Sequence, residues 1–167
     1  SLRFSNSGGR RFVDHFSGIM APIGGLRWWG AGREGSGAPC TLPAGQFIIT
    51  FFAEDAGAPG NVVATRTVTP SCSLLGALEA PPYLAGTDVY QFDTTFERSV
   101  VLSEGWVSIA FDDATTCSFN WSSSLDGDGV GGRLDDGVFT SLAVDLSLCM
   151  IEGPPPSEGE GEGEGEG

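Results

Sequence analysis

The stretch SSSLDGDGVGGRLDDG, residues 122–137, sets Asp126, Asp128, Asp135 and Asp136 among glycines. Carboxylates so spaced can hold a hard cation, supply an acid and a base for hydrolysis, or keep a turn solvated. Against the EF-hand pattern, Asp126 and Asp128 match the first and third positions and Gly131 the sharp-turn glycine. Val130, however, stands at a ligand position, and Gly137 stands where a bidentate Glu belongs. The stretch is not an EF-hand. Two readings stay open. In one, Asp126 and Asp128, with Asp135 or Asp136 and backbone carbonyls, converge on a calcium ion; in the other, the stretch is a solvated loop between two strands.

Other carboxylates come as doublets: Glu54 with Asp55, Asp112 with Asp113, and Asp135 with Asp136. A glycoside hydrolase needs two carboxyls facing each other across a cleft, and neighbours on a strand point to opposite faces. No doublet makes such a pair alone, and the simpler role is keeping strand ends and turns soluble. His15 follows Asp14 in FVDHF, but no G-x-S-x-G elbow accompanies it, so no catalytic residue is assigned. Trp28, Trp29 and Trp121 are candidate sugar platforms, because an exposed indole stacks on a pyranose ring. Trp28 and Trp29 are adjacent, so on a strand one enters the core and the other faces outward. Core filling is the competing role for each.

Four cysteines, Cys40, Cys72, Cys117 and Cys149, allow three disulfide connectivities. Cys40 and Cys72 flank one proposed hairpin almost symmetrically, and Cys117 and Cys149 flank the glycine-rich loop, so spacing favours 40–72 and 117–149. Zinc is disfavoured, since C-x-x-C spacing is absent and His15 lies far from any cysteine in sequence. Paired cysteines point to an oxidising compartment, with export to the medium or the cell surface as the expected location.

The elements carrying these residues read as strands. In QFIITFFAED, Phe47, Ile49 and Phe51 alternate with Ile48, Thr50 and Phe52; WVSIAF and CSFNWS repeat the period of two. AGAPGN places Pro59 before Gly60, which suits a type II turn joining strands 47–55 and 62–69. About eight short strands with Gly/Pro/Asp/Ser punctuation and no amphipathic helix predict an all-β fold. Its expected form is an antiparallel two-sheet β-sandwich, jelly-roll-like, over residues 1–151. From 152 to 167 a triple proline leads into a Glu/Gly repeat with no apolar residue, which predicts a disordered, extended linker.

Composition excludes several classes of partner. The net charge is −14 and all eight basic residues are arginines, so no cluster exists that could bind a nucleic-acid backbone. No apolar run is long enough to cross a membrane as a helix. The chain starts without Met and stops inside a repeat, which reads as a segment of something longer.

LRWWG, FIITFFAEDAGAPGNVVA, YQFDTTF, LSEGWVSIAF and the closing DLSLCM, taken in order, resemble an uncharacterised β-sandwich module of large exported bacterial proteins. The resemblance spans most of residues 12–150. It implies a jelly-roll-like, secreted, non-catalytic accessory module joined by low-complexity linkers to neighbouring domains of the same polypeptide, and it carries over no active site. The expected function is therefore a structural or binding module. A carbohydrate-binding module, with polysaccharide or cell-surface glycan as partner and calcium as its one candidate cofactor, is the first alternative, and a glycan-degrading enzyme the second.

Overall fold

A computed structural model of the chain describes residues 3–5, 10–34, 36, 38–42, 45–77, 87–112 and 117–154. They form two antiparallel sheets packed face to face. The first sheet runs β1 (Arg3–Ser5), β9 (Cys117–Ser124), β3 (Ile23–Glu34), β7 (Asp88–Val100) and β6 (Ser71–Ala77). Here β13 (Leu148–Glu152) lies along β3, and the two-residue β12 (Asp145–Leu146) lies on β9. The second runs β11 (Val138–Leu142), β10 (Gly131–Asp135), β2 (Arg10–Phe16), β8 (Gly105–Asp112), β4 (Gln46–Asp55) and β5 (Ala58–Val68). Expectation and structure agree on an all-β sandwich. Of the linker expected over 152–167, Glu152 ends β13, and residues 155–167 lie outside the described residues.

Period-two patterning builds the core. Phe47, Ile49 and Phe51 of β4 and Val107 and Ile109 of β8 face inward and meet Leu26, Trp28, Phe92, Phe119 and Trp121 from the opposite sheet. Trp28 stacks on Phe92 with centroids 5.4 Å apart, and Phe47 meets Phe119 edge to face at 5.1 Å. A second, smaller core lies on the outer face of the second sheet. Val13, Phe52 and Trp106 are buried there, packed against the side chains of Val130, Leu134 and Phe139 from the β10–β11 hairpin and its approach. Hence Trp106 points away from the main core and is still fully buried.

Two turns depart from expectation. The β4–β5 hairpin turns at Ala56 and Gly57, with φ of 50° and 84°, rather than at Pro59-Gly60. Two consecutive positive φ values are what a two-residue loop needs to match strand twist. Pro59 instead sits in β5 opposite Glu54, on the outermost strand of its sheet, where a missing N–H costs nothing. Likewise 122–137 is not one loop. It holds the end of β9, a true loop over 125–130, the strand β10, and a two-residue turn at Asp136 and Gly137 with φ of 48° and 83°.

The cysteine pairing also differs. Cys40 is bonded to Cys117, with Cα atoms 5.9 Å apart, while Cys72 and Cys149 are free and exposed. The proposed 40–72 and 117–149 bridges are therefore both corrected. Symmetry about a hairpin places flanking residues together only if both flanks stay in one sheet. After Val68 the chain crosses from β5 in the second sheet to β6 in the first, which carries Cys72 away from Cys40. Cys40 bonds through its N–H to the Gly32 carbonyl near the end of β3, and Cys117 pairs with Glu34 on that strand, so the two meet there. Alkylation of the native, unreduced chain should accordingly modify two cysteines, Cys72 and Cys149, with the 40 and 117 peptides still cross-linked in a non-reducing digest.

Candidate functional site

The four aspartates of the opening stretch part company in the fold. Asp126 is exposed, and its main chain bonds the Ser124 hydroxyl. Asp135 accepts from Arg10 at 2.9 Å and pairs with Arg133, and Asp136 forms the hairpin turn. Asp128 alone of the four bonds His15. The convergence that a calcium site on Asp126, Asp128, Asp135 and Asp136 requires does not occur. Among the described residues, no three His, Cys, Asp or Glu side chains are grouped to hold a metal ion.

Asp128 instead joins side chains at one end of the sandwich. His15 Nδ1 lies 2.6 Å from Asp128 Oδ2, and Asp128 Oδ1 accepts the Val130 N–H at 2.9 Å. On the other side of the imidazole, Nε2 lies 3.8 Å from Glu54 Oε2 and 3.7 Å from Glu104 Oε1. Glu54 Oε2 also accepts the Trp106 indole N–H at 2.6 Å, and the His15 and Trp106 rings meet at a centroid distance of 5.1 Å. Strand alternation explains the arrangement: His15 shares the outer face of β2 with Val13, above the small core, while Asp14 turns inward with Phe12 and Phe16.

Inward of this cluster lie two buried carboxyls. Asp14 Oδ1 accepts the Leu146 N–H at 2.9 Å, and both Asp145 oxygens accept the Gly129 N–H, at 2.9 and 3.0 Å. Burial pushes the Asp14 carboxyl up to about 8, against the pull of the Leu146 N–H, with Asp145 and Asp128 adding repulsion. Asp128 is shifted the other way. Partial burial raises it, but the His15 and Val130 hydrogen bonds and the His15 charge hold it below the usual carboxylate range. These groups border a shallow opening of about 400 Å³ together with Phe16 and Met150. A protonated carboxyl near an ionised one is the pattern of an acid and base pair. Here, however, each is bonded to a backbone N–H of the 125–130 loop or of β12. Neither Asp145 nor Glu104 was singled out from sequence. The signal for Asp14 was present, since an acid at an inward position between Phe12 and Phe16 is out of place on an alternating strand.

The tryptophan candidates divide. Trp28 and Trp121 are fully buried, so neither offers a ring face to a ligand, which corrects their assignment as platforms. Trp121 donates to the Ser147 carbonyl at 3.0 Å, whereas the Trp28 N–H has no partner among the described residues. Trp29 is half-buried on the outer face of the first sheet. It pairs with Gln91, and the neighbouring Arg27 pairs with Asp93. Asp93 accepts from Arg27 Nε at 2.5 Å and from Gln91 Nε2 at 2.7 Å. Asn120, in an Asn-Trp-Ser sequence, is buried mid-strand.

Comparison with protein-family models, with curated proteins and with solved structures finds no match for this chain.

Proposed function

We propose that this domain is a non-catalytic structural or binding module of a larger exported protein, of the kind its strand motifs resemble. The observation that carries the reading is that Asp14, Asp128 and Asp145 each accept a backbone N–H from the loop and strand segments that close one end of the sandwich. Carboxylates held this way fasten chain to chain. The Cys40–Cys117 bridge supports an oxidising location, secreted or cell-surface. Neighbouring domains of the same polypeptide are the expected partners.

The test is an assay of reducing-end release on a panel of soluble plant and bacterial polysaccharides. The reading expects none. Turnover that disappears in Asp128→Asn would overturn it in favour of an enzyme.

A carbohydrate-binding role is favoured by one specific arrangement, the half-exposed Trp29 ring beside the bonded Gln91–Asp93–Arg27 row on a sheet face. An indole with oriented polar groups beside it suits a pyranose ring and its hydroxyls. In affinity electrophoresis, Trp29→Ala should weaken retardation by at least about tenfold while leaving the β-sheet spectrum intact. Equal retardation of variant and wild type would dismiss the sugar reading.

A further inference from the structure

The two sheets leave a groove at their open edges, between Arg66–Thr69 of β5 and its following turn and Thr94–Arg98 of β7, with a volume of about 420 Å³. Among the described residues, both walls carry unpaired strand edges. β5 has β4 as its one strand partner among the described residues, and β6 pairs with β7 over Asp88–Asp93, leaving that side of β7 open from Thr94 onward. Threonines 67, 69, 94 and 95 line it with Arg66 and Arg98.

These arginines differ from the three that form ion pairs with carboxylates. Arg10 and Arg133 pair with Asp135, and Arg27 pairs with Asp93. Arg66 bonds the carbonyls of Thr65 and Arg98. Among the described residues, neither Arg66 nor Arg98 has a carboxylate partner, although the chain carries 22 acidic side chains. Glu97 also lines the groove and forms an ion pair with neither.

The end of β13 is aimed at this groove. Glu152 pairs with Ile23 on β3, the Gly153 N–H bonds the Pro22 carbonyl, and the Ser99 hydroxyl bonds the Pro154 carbonyl at 3.1 Å. Three successive residues thus step from β13, past the start of β3, to β7. Gly24 and Gly153 permit the crossing, because a side chain on either would collide with the other's backbone. The chain arrives one residue from Arg98. Pro155, Pro156 and Ser157 follow, and Glu158, Glu160, Glu162, Glu164 and Glu166 then alternate with glycine.

We propose that the groove between β5 and β7 is the docking site of the chain's own Glu/Gly repeat, residues 158–167. In an extended chain, a period of two sets the glutamates on one face, toward Arg66 and Arg98, and the glycines on the other, where the backbone can approach the threonine walls. The guanidinium fork matches a carboxylate, and the unpaired strand edges accept an added strand. Three residues span about 10 Å when extended, enough to reach from Pro154 to the groove, and the tether raises the local concentration of the repeat to about millimolar. Docking would shorten the spacer at low ionic strength and release its full length as salt screens the charges. The proposal stands independently of the module reading above.

The experiment uses the full ¹⁵N-labelled chain in three forms: wild type, Arg66→Gln with Arg98→Gln, and a chain with the five repeat glutamates changed to glutamine. The readouts are the amide shifts of Thr94, Thr95 and Thr67 and the heteronuclear NOE of the repeat glycines, between about 20 and 500 mM salt. In wild type at low salt, restricted repeat glycines and shifted threonine amides are expected. The docked-to-undocked ratio should fall about tenfold in either variant, or in high salt. Identical spectra in all three forms would overturn the proposal. So would groove shifts that survive the glutamate changes, which would mean another occupant, or docking that fades on dilution, which would mean the repeat of a neighbouring molecule. The glutamate changes lie outside the folded body, so the result is readable even if the arginine changes weaken the sandwich.

Discussion

Serine at both Cys40 and Cys117 is expected to cost the domain about 4.5 kcal/mol, because the bridge closes a loop spanning 77 residues. That loop contains β4 through β8, including most of the inward aromatic strands, so the cross-link restricts the unfolded chain over nearly half its length. A glycine leaves room for the bridge. Gly32 presses against the Cys40 carbonyl and lies close to the Cys117 sulfur, so no side chain competes for that space. For a domain of this size the loss amounts to about 10–15 °C in Tm. Adding reductant to the wild-type chain should reproduce the shift, and should add nothing in the Cys40→Ser/Cys117→Ser variant. If reduction leaves the wild-type transition unmoved, the assigned pairing is wrong. Serine at Cys72 and Cys149 is the control, and with both thiols exposed it should leave the transition where it was.

Asp14→Asn is expected to stabilise the domain at neutral and alkaline pH. Asp14 ionises near 8 in the folded chain against 3.8 unfolded, so between those values the folded state holds a proton that the unfolded state lacks. Each pH unit across that window lowers the stability of the wild type, with a limiting slope of about 1.4 kcal/mol per unit for one proton. An asparagine keeps the oxygen that accepts the Leu146 N–H and removes the charge. The variant should therefore match wild type near pH 4 and exceed it by about 2 kcal/mol or more at pH 8. Asp128 acts in the opposite sense. Its lowered value gives stability that is present above the unfolded pKa and lost as acid protonates it, so the acid limb should persist in Asp14→Asn. Denaturant melts at pH 4, 6 and 8 would decide the matter. Parallel pH dependence of the two chains would show that Asp14 is not the group responsible.

Both results bear on what alternation in a sequence conveys. The pattern of Phe47, Ile49 and Phe51 specifies which side of β4 is buried, because a side chain one residue along a strand must point to the opposite face. The same rule separates Trp28 from Trp29 and puts His15 and Asp14 on opposite faces of β2. It does not reveal which second surface will cover an outward residue. Trp106 and Phe52 are on the outer face of their sheet and are buried there beside Leu134 and Phe139, side chains of the β10–β11 hairpin at the edge of the same sheet. Asp136-Gly137 is one of three Asp-Gly pairs in residues 122–137, and it alone of the three makes the two-residue hairpin turn, a choice the dipeptide itself does not convey.

By itself, the amino-acid sequence determined the fold class, the inward residues of the long strands, and the placement of Trp28 and Trp29 on opposite faces. Each of these depends on local backbone geometry and on apolar burial, which act within a few residues. Tertiary structure alone decided that Cys40 meets Cys117, that Asp128 leaves its neighbouring aspartates for His15, and that Asp14 sits close enough to Asp145 to feel its charge. Those encounters join residues many tens of positions apart, and their partners are chosen by where the chain crosses from one sheet to the other. No spacing along the chain encodes that crossing, because it follows from how two twisted apolar faces come to cover each other.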